Sequence, residues 1–137
     1  MYRLLLLIIL SFQTDFLEDL KWENRVILLF TNSIENELVQ SQLSTFKEKK
    51  EGLSERDLQV FIVEEDAVVT VSGREVRNAV AASLRSKFRI NSAAFTFILI
   101  GKDGGVKLKE NFNVSTDRLF DLIDSMPMRR KEMKDDY

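Results

Sequence analysis

Apolar positions along this 137-residue chain fall into two patterns, short unbroken runs and runs spaced by three and four. Arg25-Val26-Ile27-Leu28-Leu29-Phe30 is a continuous β-branched and apolar run, as expected of a central strand covered on both faces. Leu58–Val63 and Ala94–Ile100 repeat that pattern, whereas Val106-Lys107-Leu108-Lys109 alternates and predicts a half-exposed strand. Between these runs the spacing is helical. Phe16, Leu17 and Leu20 predict a short helical turn leading to Trp22. Asn32 with Glu35 predicts a helix start, and Leu38, Val39, Leu43 and Phe46 continue it until Gly52 stops it. Ser72 and Glu75 have the form of a capping box, with Val71 placed to staple onto Val76. Val76, Val80, Leu84 and Phe88 then recur at a fixed helical interval. Ser115 or Thr116 caps a last helix carrying Leu119, Leu122, Ile123 and Met126, with Asp117 in its first turn and Pro127 ending it.

The predicted order is β-α-β-α-β-β-α. A helix between the first two strands implies parallel pairing through a right-handed crossover. Lys102-Asp103-Gly104-Gly105 makes a tight turn, so the last two strands form an antiparallel hairpin. The expectation is an α/β fold with a mixed four-stranded sheet flanked by helices, the thioredoxin-like arrangement. Residues 14–134 are read as one domain, after an apolar leader over residues 1–13 and before a tail at 135–137.

The leader runs Met1-Tyr2-Arg3, then Leu4 to Leu10, then Ser11-Phe12-Gln13. One basic residue before a short apolar run has the form of a signal peptide, and the run is shorter than the ~20 residues a membrane span needs. No small-x-small cleavage site follows, and a buried strand or helix of the domain is the competing reading. Export to the periplasm or beyond the cell is the expectation, with the cytoplasm as alternative.

Composition mainly removes options. The chain has no cysteine and no histidine. That excludes disulfides, thiolate nucleophiles, CxxC redox pairs and Ser–His–Asp triads, and with them thiol oxidoreductase and peroxidase chemistry. No cofactor is expected. Net charge is −2, so nothing pulls the whole chain toward nucleic acid. The charges are unevenly spread: residues 32–70 hold four basic and nine acidic groups, and residues 101–134 hold eight and six. An anionic partner is therefore sought among the late basic residues.

Four segments point to a family. They are Trp22-Glu23-Asn24-Arg25, Glu55-Arg56-Asp57, the hairpin string from Leu99 through Gly101-Lys102-Asp103-Gly104-Gly105 to Leu108, and the closing stretch from Leu119 through Met126-Pro127-Met128-Arg129-Arg130 to Met133. Together, over about residues 17–134, they resemble the prokaryotic DUDES domain family of unknown function, a module that recurs in vertebrate secreted matrix proteins such as the sushi-repeat-containing proteins. The resemblance implies a thioredoxin-like fold close to peroxiredoxins but without their reactive cysteines. It also makes the missing thiols positional. Where a redox enzyme of this fold places its reactive cysteine, the chain reads Thr31-Asn32-Ser33-Ile34. Where thioredoxins carry a cis-proline it reads Ala93-Ala94-Phe95-Thr96.

Two groups of candidate residues follow. Thr31, Asn32, Ser33 and Phe95 form a vestigial site, where a helix N-terminus could favour an anion, although a plain N-cap is the preferred reading. Lys102, Asp103, Lys107, Lys109, Arg129 and Arg130 form a late cluster. Lys107 and Lys109 read first as guards on an edge strand. Arg129 and Arg130 could pair with Glu55, Asp57, Asp103 or Asp124, or converge with Lys102 and Lys131 as an anion-binding face. The structural role is preferred. The functional expectation is a non-catalytic binding or scaffold module for a protein or an anionic polymer, glycan or phosphate-rich, with self-association through a sheet edge as a further option. A cysteine-independent enzyme at the vestigial site is the alternative.

Overall fold

The computed structural model describes residues 15–90 and 95–136. The leader and Ala93-Ala94 lie outside the described residues. A five-stranded sheet of order β3-β2-β1-β4-β5 carries the chain, one strand more than the pattern predicts. β1 (Arg25–Phe30) pairs in parallel with β2 (Leu58–Val63), and antiparallel with β4 (Thr96–Ile100), which forms the expected hairpin with β5 (Val106–Glu110). The additional strand is β3 (Val68–Thr70), antiparallel to β2.

The central strands are covered on both faces, as their unbroken apolar runs require. On one face Ile27, Leu29, Phe97 and Leu99 pack against α2 (Glu37–Glu48), α3 (Lys50–Glu55) and α5 (Thr116–Asp124) through Val39, Phe46, Leu53, Leu119 and Ile123. On the other, Val26, Leu28, Phe30 and Ile98 meet the short helices α1 (Phe16–Leu20) and α4 (Ala81–Lys87) through Phe16, Leu17, Ala81 and Leu84. Gln42 is the polar exception inside α2: its amide gives Nε2–H to the Val114 carbonyl and accepts the Val114 N–H, both at 2.9 Å. That double bond stitches the approach to α5 onto α2.

Several local expectations are corrected. The cap of α2 is Asn36, whose side chain accepts Leu38 N–H at 2.9 Å, and Asn32 lies in the preceding loop. Gly52 does not stop a helix. It sits inside α3 because Phe120 lies across it, so an added Cβ would come within 2.6 Å of that ring. The Ser72–Glu75 capping box does not form. Thr70 N–H donates to the Arg74 carbonyl, Gly73 takes φ 85°, and Glu75 bridges back to Val69. A glycine able to turn the chain wins there over the capping signal. α4 consequently starts at Ala81, and Val80, expected in the core, is 56% exposed. Pro127 does end α5, and it also occupies the first turn of α6 (Pro127–Asp135), a position that needs no N–H.

Candidate functional site

The strand order reverses at β1, which has β2 on one side and β4 on the other. The carboxyl end of such a strand is where open α/β sheets form their binding crevice. Thr31 follows β1 directly there and is fully buried. Its hydroxyl donates to the Ser33 carbonyl at 2.8 Å and accepts Ser33 N–H at 3.2 Å. The Ser33 hydroxyl in turn accepts Glu35 N–H at 3.2 Å. These are short serine and threonine turns that fold the loop onto itself. Phe95 is buried in the core beside Phe97 and Val114 and offers no polar atom. The Thr31 and Ser33 hydroxyls of the vestigial site are thus engaged by the backbone of their own loop. Arg85, from the last turn of α4, closes over the same end: Nη2 donates to the carbonyls of Thr31 at 2.8 Å and Val63 at 3.2 Å.

Most of the late basic residues lie at the opposite end of the sheet, and the structure divides them. α6 crosses beneath the amino ends of β1 and β2 and turns Arg129 and Glu132 inward. Arg25, first residue of β1, is only 1% exposed and meets Glu132 through Nη1 and Nη2, at 3.1 and 3.3 Å. Lys102 donates to the same carboxylate and to Asp57 at 2.8 Å. Arg129 donates to Asp124 at 3.1 Å and lies 3.6 Å from both Glu55 and Glu132. Arg56 completes the set, forking onto Asp124 at 2.8 and 3.0 Å while its guanidinium stacks on Phe120. Arg25, Arg56, Lys102 and Arg129 therefore face Glu55, Asp57, Asp124 and Glu132, four charges of each sign.

The electrostatics follow from that geometry. Burial pushes the Glu132 carboxyl up, but bonds from Lys102 and Arg25 and their charges outweigh it and hold the group below its ordinary value. Asp124 behaves the same way: burial opposes ionisation, and Arg56 and Arg129 overcome it. Burial pulls the Lys102 ammonium down, and Asp57 and Glu132 together raise it above its usual range. A set so balanced can hold α6 in place but has no free charge to offer a ligand.

The other members of the late cluster are placed separately. Asp103 accepts Gly105 N–H at 2.9 Å inside the hairpin turn and pairs with Lys107 at 2.9 Å, which lowers its pKa. Lys109 donates to the Phe88 carbonyl at 3.0 Å, at the far end of the sheet. Arg130 is exposed and forms no ion pair among the described residues, and Lys131 is exposed beside it. The six residues are therefore distributed over four settings: the network, the hairpin turn, the far end of the sheet and the exposed face of α6. Pairing of Arg129 with Glu55 or Asp124 had a visible basis in sequence, but the hub Glu132 did not. Its one local signal is the spacing of three from Arg129. Among the described residues no three acidic side chains gather as metal ligands.

The family model described as "Domain of unknown function (DUF4174)" matches residues 16–132. The chain is 27% identical over 135 residues to coiled-coil domain-containing protein 80 of Danio rerio, covering 87% of this chain. It spans only 16% of that relative's length. Among solved structures it is similar to the reduced 2-Cys peroxiredoxin of Plasmodium vivax, with a TM-score of 0.59, 14% identity and 83% of each chain covered. It is also similar to thioredoxin peroxidase I of Plasmodium yoelii, with a TM-score of 0.56, 18% identity, and 83% and 79% of the two chains covered. At these identities the likeness is one of fold: a thioredoxin- and peroxiredoxin-like frame that here contains no cysteine.

Proposed function

We propose, from the premise that this chain belongs to the DUF4174 family of unknown function, that it is a non-catalytic binding module that engages an anionic partner. The observation that carries this reading is the state of the crevice at β1. Where the redox neighbours of this frame house a thiol, the loop after β1 carries the Thr31 and Ser33 hydroxyls, already bonded to their own backbone. An enzyme at Thr31, Ser33 and Phe95 has less support, since among the described residues the two hydroxyls bond only backbone groups. The partner would meet cations left outward, such as Arg130 and Lys131, rather than those spent in the network under β1. An extracytoplasmic location accords with the signal-like leader and with the secreted proteins the family resembles. An anionic glycan is then the partner of choice.

The test is calorimetric titration of the full chain with heparin at low ionic strength, where screening is weakest. Binding that weakens with added salt and falls several-fold in the Arg130→Ala, Lys131→Ala double variant supports the reading. Failure to bind at low salt sinks it, as does unchanged binding by a folded double variant. N-terminal sequencing of the secreted product decides the leader: retention of Leu4–Leu10 would refute cleavage.

A further inference from the structure

A surface helix ordinarily seats an apolar stripe against its domain. α6 does not. Its inward positions are Arg129, which is buried, and Glu132 and Met133, half-buried at spacings of three and four from it. The other residues from Pro127 to Asp135 are exposed. Among the described residues no side chain caps its first turn. Two charged groups and one methionine therefore seat the helix, and little apolar surface opposes its lifting, which places α6 at the low-stability end of the fold.

The ion pairs decide what such lifting leaves behind. Lys102 keeps Asp57 at 2.8 Å, and Asp124, released by Arg129, keeps Arg56 at 2.8 Å, because both pairs lie outside α6. Arg25 keeps no acid. Its carboxylate partner among the described residues is Glu132 alone, and beyond it the guanidinium holds the Arg56 carbonyl at 3.0 Å. Arg25 and Lys102 converge on that one carboxylate: Nη1 reaches Oε2 at 3.1 Å, Nη2 reaches Oε1 at 3.3 Å, and the Lys102 ammonium shares Oε1. Neither cation is placed by α6. Arg25 is 1% exposed at the head of β1, with its N–H on the Asp57 carbonyl at 3.0 Å, and Lys102 follows β4, with its carbonyl accepting Trp22 N–H at 2.6 Å. The sheet builds the receptor, and the helix supplies only its occupant.

We infer that Arg25 and Lys102 form a carboxylate-binding slot that Glu132 fills from within the chain, and that a carboxylate from outside takes the same place when α6 lifts. A guanidinium fork with an ammonium on one oxygen fits a planar carboxylate. The ligand is either a small free carboxylate or an acidic side chain of another protein. While α6 is seated the set is closed to it. The competing carboxylate acts by binding the open form and drawing the equilibrium toward it. The slot is separate from the outward Arg130 and Lys131 and does not rest on the glycan reading.

The experiment follows amide hydrogen exchange by NMR in the full wild-type chain at neutral pH, with sodium acetate compared against sodium chloride at equal ionic strength. A second arm replaces acetate with a short peptide bearing a single glutamate. After correction for intrinsic rates, the amides of Lys131, Glu132 and Met133 should exchange ~10-fold or more faster than those of Ile27 and Leu29, through opening of α6 alone. Acetate should speed the α6 amides several-fold further and leave the strand amides unchanged, and chloride should not. A lower half-saturating concentration for the peptide assigns the ligand to protein side chains, and an equal or higher one to small carboxylates. In Glu132→Ala the occupant is removed, so acetate should bind saturably, shift the Arg25 side-chain signals and raise the Tm of the variant. Adding Lys102→Met should weaken that binding ~10-fold, and adding Arg130→Ala should leave it unchanged. Exchange of α6 only in step with β1, or equal effects of acetate and chloride on the wild-type protein, overturns the inference without any substitution. A folded Glu132→Ala that acetate does not shift overturns it as well, as does loss of acetate binding with Arg130→Ala. Heparin binding at Arg130 and Lys131 without an acetate response sinks the slot alone, and an acetate response without heparin binding sinks the glycan reading alone.

Discussion

Glu132→Gln removes the charge that three cations share while keeping the size of the side chain. Arg25, 1% exposed, would lose its counter-charge and keep only neutral acceptors, the Arg56 carbonyl at 3.0 Å and the one amide oxygen of the new side chain. Breaking a buried pair from one side costs ~3–5 kcal/mol. The figure must be discounted here, because Glu132 keeps 23% of its side chain in solvent and Lys102 still has Asp57. A loss of ~2 kcal/mol is expected, or a fall in Tm of ~8 °C at roughly 4 °C per kcal/mol. Urea and thermal melts of both proteins at neutral pH, read by circular dichroism, measure it.

A pH series adds a second readout. Glu132 and Asp124 have native pKa values below their unfolded ones, so the unfolded chain binds more protons as acid is added. Their stabilisation is complete above the unfolded values near ~4, and is lost as pH falls through the lowered native ones. Lys102 has the opposite sign: its contribution is complete below ~10.4 and disappears as pH rises through the raised native value. Glu132→Gln should therefore flatten the acid limb of the stability curve. A change below ~0.5 kcal/mol, the size of an ordinary surface substitution, would refute the account, as would superimposable acid limbs.

Gln42→Ala leaves the Val114 N–H and carbonyl without partners and should cost ~2–3 kcal/mol, with faster hydrogen exchange at Val114; unchanged exchange would contradict the stitch. Gly52→Ala gains helix propensity but drives a methyl into Phe120, so chemical denaturation should show a net loss of ~1–3 kcal/mol. In Phe120→Leu the same glycine change should become neutral or favourable, and persistence of the loss would place the clash elsewhere. Trp22 is 62% exposed and sits at φ 72°, a conformation glycine adopts freely. Trp22→Gly should thus leave stability unchanged or raise it by up to ~1 kcal/mol, and a loss beyond that would show the ring to be supporting the fold. Ser115→Ala removes the acceptor for Arg118 N–H at the start of α5 and should cost ~1 kcal/mol in a thermal melt.

Much of the frame was legible because β1, β2 and β4 are buried on both faces and so must be written as unbroken apolar runs. The hairpin turn was legible for a related reason: Gly104 takes φ 83° and Asp103 bonds its own turn. What failed was short or conditional. β3 has three residues and no alternation long enough to register. The Ser72–Glu75 spacing is a capping box only if a helix follows directly, and Gly73 spends that segment on a turn. Gly52 reads as a stop unless Phe120, far along the chain, is known to lie on it. The charged residues follow the same rule. Lys107 and Asp103 are four apart and could be paired by inspection, whereas Glu132 finds Arg25 across 107 residues and nothing local announces it. Arg85 is equally silent in sequence: one arginine in the last turn of a short helix looks solvated until its Nη2 is found on the Thr31 and Val63 carbonyls.

The separation of Arg25 from Glu132 also has a meaning in time. A ribosome adding ~5–20 residues per second makes the strand that carries Arg25 some seconds before it makes the helix that carries Glu132. During that interval β1 and β2 can pair through their apolar faces, while the guanidinium at the head of β1 keeps its water. The counter-charge for that guanidinium comes only with Glu132, so the head of β1 draws its electrostatic complement from a segment made well after the strand itself.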